Sequence, residues 1–350
     1  MGFGWDPKRD PCDDAVRAAA GQLRVALREV RSALRVQRGT LRVQRGAAGS
    51  GPGAAPAGGN AHADPAVAVH EARKALRRCR ALAELLRPLA AGDRASDLIA
   101  SLRGARRRLS DVRDDAVLRA ALRAAWRERL GPSGGREDRA PGAALAPLRA
   151  RLEATGEQPS ALLEPAMFAT MTAELESARH DLKLLHAAAK GVGGDLEPLA
   201  RGLRRMHRRA RSAAAAAAAA GGRDPVAHDV ALHDARKRFK ELGYVMRWWA
   251  PAWRGPIEAW LAEADALSDL IGADHDQVVL RSRLAALGDA VDGELLAQVV
   301  AGSERRSARL RAKAGRSLTR LAAEPSDAFV ARHLAYMVAA RALRAPRAGA

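Results

Sequence analysis

The sequence predicts an all-α protein made by internal duplication, and three observations carry that reading. Ala, Leu, Arg and Glu fill the segments between a few Gly/Pro-rich linkers, and runs alternating β-branched with polar residues are missing. A histidine-led basic stretch is written twice, as Val69-His70-Glu71-Ala72-Arg73-Lys74-Ala75-Leu76-Arg77-Arg78-Cys79-Arg80 and as Leu232-His233-Asp234-Ala235-Arg236-Lys237-Arg238-Phe239-Lys240-Glu241-Leu242-Gly243. Each copy is followed by an Asp-rich segment, Ser110-Asp111-Val112-Arg113-Asp114-Asp115 after the first and Gly272-Ala273-Asp274-His275-Asp276-Gln277 after the second. Asp114 follows His70 by 44 positions and Asp276 follows His233 by 43. Two matches in one register indicate two structural repeats, each with about four long helices, enough for a bundle. The expected architecture is two pseudo-symmetric four-helix bundles with a basic cavity between them.

Residues 1–11 read as an N-terminal tail and 12–345 as one domain, with a first repeat over 12–190 and a second over 195–345. Residues 12–45 form a long helix with Leu23, Leu27, Val30, Leu34 and Leu41 on its apolar side. Arg24, Arg28, Arg31, Arg35, Arg38, Arg42 and Arg45 recur along it at steps of four and three; a solvated face is the plain reading of such a row. Residues 46–63 are a flexible Gly/Ala/Pro linker. Asp64 as N-cap and Pro65 in the first turn start the first motif helix, which Pro88 ends. A helix is expected over 94–130, broken near Ser110, then a polar linker opening at 131–142 and running, with one short helix, to about 160. Residues 161–190 form another amphipathic helix, and Gly191-Val192-Gly193-Gly194 closes the first half.

The second half opens on a helix from about Leu196 to Ala220, with Arg204, Arg208 and Arg211 on one face and an octa-alanine end that is simply a strong helix former. Asp224-Pro225 starts the second motif helix, which ends before Pro251. Helices over 256–271, 274–288, 292–323 and 326–344 complete the chain.

On a helical wheel at about 100° per residue, each motif copy sorts into two faces. Val69, Ala72, Leu76, Cys79, Ala83 and Leu86 make an apolar stripe, and Leu232, Ala235, Phe239, Leu242, Met246 and Trp249 repeat it. Opposite lie His70, Arg73, Lys74, Arg77 and Arg80 in one copy, and His233, Arg236, Lys237 and Lys240 in the other. Each is a linear rail of cations.

The chain carries 59 basic against 40 acidic residues, a formal charge of +19, which implies attraction to a polyanion such as nucleic acid, anionic lipid or a phosphate polymer. A GC-rich coding bias enriches arginine too, but bias alone does not sort arginines onto one face. Cys12 and Cys79 imply no disulfide framework, which fits a reducing cytoplasm. The first residues lack the apolar run of a signal peptide, and no stretch is long and apolar enough to span a membrane.

Arginine grips phosphate oxygens in a bidentate fork, and lysine adds a compact charge. A histidine beside phosphates has its charged form favoured and gains a donor near neutral pH. Two rails facing one another across a groove repel each other until an anion lies between them. Salt-bridged, solvent-exposed helices are the competing account, and the repetition of the pattern weighs against it.

The histidine-led Arg/Lys helix, its second copy and the two Asp-rich followers resemble the CHAD family, the conserved histidine α-helical domain. Met206-His207-Arg208-Arg209-Ala210-Arg211 also resembles the arginine-rich helix that precedes the family's second histidine helix. The resemblance extends over residues 12–345 and implies two four-helix bundles around a central basic cavity that binds inorganic polyphosphate. It carries His70, Arg73, Lys74, Arg77, Arg78 and Arg80 into that cavity, with His233, Arg236, Lys237 and Lys240. Arg204, Arg208, Arg211 and Arg113 join them, and Arg24, Arg28, Arg31 and Arg35 are additional candidates.

The chain departs from the family at Glu241 and Gly243, where basic residues are usual, which predicts a weaker grip by the second half. It departs again at His207, usually aromatic, and at His275, usually Asn. Glu174-Leu175-Glu176 lacks the Lys of a tunnel triphosphatase's Glu-x-Glu-x-Lys, so polyphosphate hydrolysis is not expected. The expectation is a cytoplasmic, non-enzymatic polyphosphate-binding module, without cofactor or metal, that guides its host to polyphosphate granules.

Three rivals were weighed. A phospho-accepting histidine bundle fits His70-Glu71-Ala72-Arg73 superficially, but the second copy has Asp and no kinase domain follows. A metal-dependent phosphohydrolase would use His228-Asp229 and His233-Asp234, yet positions i and i+5 do not share a helical face. Sequence-nonspecific nucleic-acid binding is the main alternative, because any phosphate backbone meets such a surface electrostatically. Aromatic residues are only 3% and none interleaves the basic faces, which argues against single-strand stacking; bundle packing accounts better for Trp248, Trp249, Trp253 and Trp260.

Overall fold

The computed structural model describes residues 3–47, 65–90, 93–109, 121–122, 124–125, 145–154, 165–221, 224–287 and 292–343, with side chains of the first segment up to Val36. Among the described residues the chain is helical, with no strand. The helices are α1 (Pro11–Ala47), α2 (Pro65–Leu86), α3 (Arg94–Arg108), α4 (Ala146–Ala154), α5 (Pro165–Gly191), α6 (Glu197–Ala220), α7 (Pro225–Trp249), α8 (Arg254–Ala285), α9 (Gly293–Ala322) and α10 (Ser326–Ala342).

Local chemistry sets several of these limits. Asp224 caps α7 by accepting from the backbone N–H groups of Val226 (2.9 Å) and Ala227 (3.2 Å), with Pro225 at the first helical position. Asp292 caps α9 through the N–H of Leu295 at 2.9 Å. Pro88 and Pro251 each sit in a 3₁₀ turn that ends a motif helix. The expected cap Asp64, most of the linker over 46–63, the linker over 131–142 and the break near Ser110 lie outside the described residues.

The structure differs from two expectations. The helices predicted over 256–271 and 274–288 are a single helix, α8, running through Gly272. A glycine inside a helix costs about 1 kcal/mol relative to alanine, but this one has a packing reason. A Cβ at position 272 would stand 3.0 Å from the Arg236 guanidinium, so the missing side chain makes room for a motif arginine. The N-terminal segment read as a tail is docked: Trp5 is buried and its backbone N–H donates to the Trp248 carbonyl at 2.7 Å.

α2 is the helix the others gather around, packing against α1, α3, α6 and α7. α5 packs on α1 and α3, α7 on α6 and α8, and α9 on α8 and α6, while α10 lies on α6. Leu76, Cys79 and Leu86 of α2 and Phe239, Leu242, Met246 and Trp249 of α7 belong to one contiguous buried core, as the apolar stripes predict. Each such side chain contributes roughly 1.5–3 kcal/mol by leaving water. A smaller core forms where Leu122, Leu148 and Leu152 pack on Leu280 and Leu284 of α8 and Val299 of α9. Chain from the predicted first repeat is thus packed on helices of the second.

The α2–α6 crossing depends on Gly202, where a Cβ would collide with the carbonyl oxygen of Leu85. Beside it Glu84, buried on α2, pairs with Arg205 (3.0 Å) and Arg209 (3.4 Å) of α6. Further along α2, Arg80 pairs with Glu241 of α7, and Arg238 bridges Glu241 (3.6 Å) and Asp234 (3.3 Å). These carboxylates hold together helices whose other faces are strongly cationic.

Candidate anion-binding cleft

Arg73, Arg77 and Arg80 follow one another on one face of α2 at helical steps of four and three. The contact between α2 and α7 brings this row toward Arg236 and Lys240, and the contact between α2 and α3 brings it toward Arg106. Their mutual proximity is legible in their acid–base chemistry. Arg106 has its pKa lowered by burial and by the charges of Arg80, Arg77, Arg73 and Arg107. Arg236 is lowered by burial and by Arg77, opposed by Asp276 and Asp269. Lys240 is lowered by burial, then by Arg236 and Arg77, opposed by Asp269 and Asp265. Cations from α2, α3 and α7 therefore share one electrostatic neighbourhood in which each disfavours its neighbours' charge.

The protein holds this arrangement with specific bonds. The ε N–H of Arg236 donates to the Ser268 carbonyl of α8 at 2.8 Å, aiming the guanidinium across Gly272. Arg80 is largely buried against Glu241, so its charge is neutralised even while it acts on Arg106. Glu241, read from sequence as a departure that weakens the second half, is the carboxylate that joins α7 to α2. At one end of α7, His233 faces His275 of α8 with ring centroids 5.7 Å apart. Burial and the charges of Lys237, His275 and Arg236 lower the His233 pKa, and Asp234 opposes them.

The other predicted positions are placed as follows. His70 is exposed on α2, and Lys74 pairs with Glu71 at 3.5 Å. Arg78 lies over the Phe3 ring, 5.1 Å from its centroid. Lys237 is exposed beside His233. Arg204 and Arg208 face α10, pairing with Asp327 at 2.5 and 3.6 Å, and Arg211 donates to the Ala322 carbonyl at 2.9 Å. Arg204 and Arg208 also line a pocket with Arg205 and Arg209 of α6 and Asp234 and Arg238 of α7, while Arg211 turns toward α9. Arg24, Arg28, Arg31 and Arg35 line a groove between α1 and α5. Arg113 lies outside the described residues.

Sequence reading missed Arg106, which approaches the α2 row from α3, and gave no site role to His275, the partner of His233. The triplet Arg106-Arg107-Arg108 sits in the last turn of α3, where cations are ordinary complements to the helix dipole, so its position alone gave no distinguishing signal.

His207 is a core residue and not a cleft residue. It is buried, its Nδ1 lies 2.9 Å from the Ser326 hydroxyl, and its ring stacks on Phe329 at 4.1 Å between centroids. Burial pushes His207 and the neighbouring His333 down to about 4. A histidine with a depressed folded pKa takes up protons more readily when unfolded. Its contribution to stability is complete above the unfolded value of about 6.5 and drains as pH falls toward the folded value. Each histidine accounts for at most about 3 kcal/mol of this loss. The urea midpoint should therefore fall steeply between about pH 6.5 and about pH 4; a flat profile there would contradict two neutral core histidines.

No helix among the described residues is long and apolar enough to cross a membrane. Comparison with curated proteins and with solved structures returns no match. The family profile described as "CHAD domain" matches residues 57–285, a span that holds α2 through α8 and with them every cation of the cleft. With well over half of its 350 residues matched by that profile, the chain belongs to the CHAD domain family.

Proposed function

We propose that this protein is a binding module for inorganic polyphosphate and that the cleft between α2, α3 and α7 is where the polymer lies. The observation that carries the reading is the gathering of partly buried Arg106, Arg236 and Lys240, on two different helices, around Arg77 of a third. Such a cluster is repulsive when empty, and a chain of phosphates relieves it. Arginine supplies bidentate contacts and Lys240 a point charge, the combination that phosphate oxygens reward. Family membership is consistent with this ligand.

In this reading α1, α2, α3 and α5 form one four-helix bundle and α6 to α9 its duplicated counterpart, with the cleft between them. The domain extends over about residues 12–345, since α1 and α10 share the core of the matched span. Arg73, Arg77, Arg106, Arg236 and Lys240 make the main contacts, His233 and Lys237 extend the cleft at one end, and His70 and Lys74 border it. The protein acts by binding, without catalysis, and directs its host to polyphosphate granules in the cytoplasm.

Five clustered cations predict a log–log salt slope of roughly −3 to −4, at about −0.7 per neutralised phosphate of a single chain. A bound polyanion also raises the His233 pKa, so binding takes up protons and strengthens as pH falls from about 8 to about 6. Filter binding of long-chain polyphosphate against single-stranded DNA at matched phosphate concentration tests the reading. Polyphosphate is expected to win by at least about tenfold, about 1.4 kcal/mol. Equal affinity would favour a general nucleic-acid-binding protein.

A further inference from the structure

The arginine row of α1 remains outside the cleft. Arg24, Arg28, Arg31 and Arg35 form one wall of a groove of about 730 Å³, and Arg179 and Lys183 of α5 stand on the other. Its floor is apolar and closed, because Leu23, Leu27 and Leu182 are buried in the core. The six cations stand on α1 and α5, whereas those of the cleft stand on α2, α3 and α7.

Counting the carboxylates in reach separates this row from an ordinary solvated face. Glu176 reaches Arg31 at 3.7 Å and Arg179 at 3.4 Å, and Glu29 takes Arg28 at 2.8 Å. Asp13 is occupied by Arg17 (2.7 Å) and His186 (3.0 Å). Among the described residues no carboxylate pairs with Arg24, Arg35 or Lys183. The arginine row of α6 is the contrast: Asp327 takes Arg204 and Arg208, and Glu84 takes Arg205 and Arg209. Two carboxylates serve those four arginines of α6, and two serve the six cations of the groove, so the groove keeps the larger positive excess.

Shape selects the ligand class. The α1 cations climb about 16 Å at about 1.5 Å per residue, in line, along one wall of a concave channel. A single extended phosphate chain can lie in such a channel and meet both walls. A duplex carries its phosphates on a convex surface and reaches only the rim.

We infer that the α1/α5 groove is a second binding site for a single-chain phosphate polymer. The protein then holds two short chains at once, or two stretches of one long chain. The inference uses the ligand chemistry proposed above but none of the cleft residues. Native mass spectrometry of the full chain with short-chain sodium polyphosphate reads it directly. The unaltered protein should bind two chains. Arg24, Arg28, Arg31 and Arg35 replaced together by Gln should leave one, and so should Arg179→Gln with Lys183→Gln on the opposite wall. Arg77→Gln with Lys240→Gln should also leave one, by emptying the cleft. A single chain on the unaltered protein, lost only in the cleft variant, overturns the second site and leaves the cleft standing. Two chains retained by both groove variants overturn it as well. One chain lost only in the groove variants would instead sink the cleft and keep the groove.

Discussion

Arg77→Gln together with Lys240→Gln should weaken polyphosphate binding by roughly 10²- to 10⁴-fold, since each charge-assisted hydrogen bond is worth about 1.5–3 kcal/mol. Isothermal titration at fixed ionic strength measures it. The same change should leave thermal stability unchanged or slightly higher. Arg77 disfavours the charge of Arg106, Arg236 and Lys240 in the free protein, so its removal relieves repulsion. Opposite signs for binding and stability mark a site assembled against its own electrostatics. A variant that loses stability and affinity in parallel would mean that these cations are structural and the cleft has been misread.

The second large effect concerns the seam that holds the cations together. Glu84→Gln should destabilise the fold by about 3 kcal/mol, within the range for removing one partner of a buried ion pair. Glu84 is 5% exposed, and its charge is what favours a protonated, half-buried Arg205 against burial and the nearby charges of Arg87 and Arg209. Without it, Arg205 and Arg209 lose the carboxylate they share, at a crossing tight enough to require Gly202. Chemical denaturation should show a lower midpoint with an unchanged slope. Glu197→Gln, which removes a solvent-exposed partner of Arg201 at 3.8 Å, should stay within about 0.5 kcal/mol of the parent. Equal effects at the two positions would show that the seam does not depend on Glu84.

The fold class was legible because helical period is a local property of the sequence. Leu76, Cys79 and Leu86 on one motif helix, and Phe239, Leu242 and Met246 on the other, are buried where a helical wheel puts them. The single helix through Gly272 was not legible, since glycine reads as punctuation until the Arg236 guanidinium that fills its space is known. For the same reason Glu241 looked like a flaw in a basic row: its partner Arg80 is 161 positions away. Arg73, Arg77, Arg236 and Lys240 were legible because one face of a helix is fixed by spacing. Arg106 was not, because its role comes from the packing of α3 on α2. The rows on α1 and α6 looked alike in sequence, and only the number of carboxylates that reach each in the fold distinguishes them.

Convergence of the two motif helices has a direct spectroscopic signature in the pKa of Lys240, followed through its ε-carbon resonance by nuclear magnetic resonance. In the free protein that amine should titrate below the ordinary lysine range, owing to burial first and then to Arg236 and Arg77. Arg77→Gln, a change on a different helix and 163 positions earlier, should raise it. Saturating polyphosphate should raise it further. A Lys240 pKa that moves with neither the Arg77 substitution nor the polymer would place the two rows apart and contradict a shared anion-binding cleft.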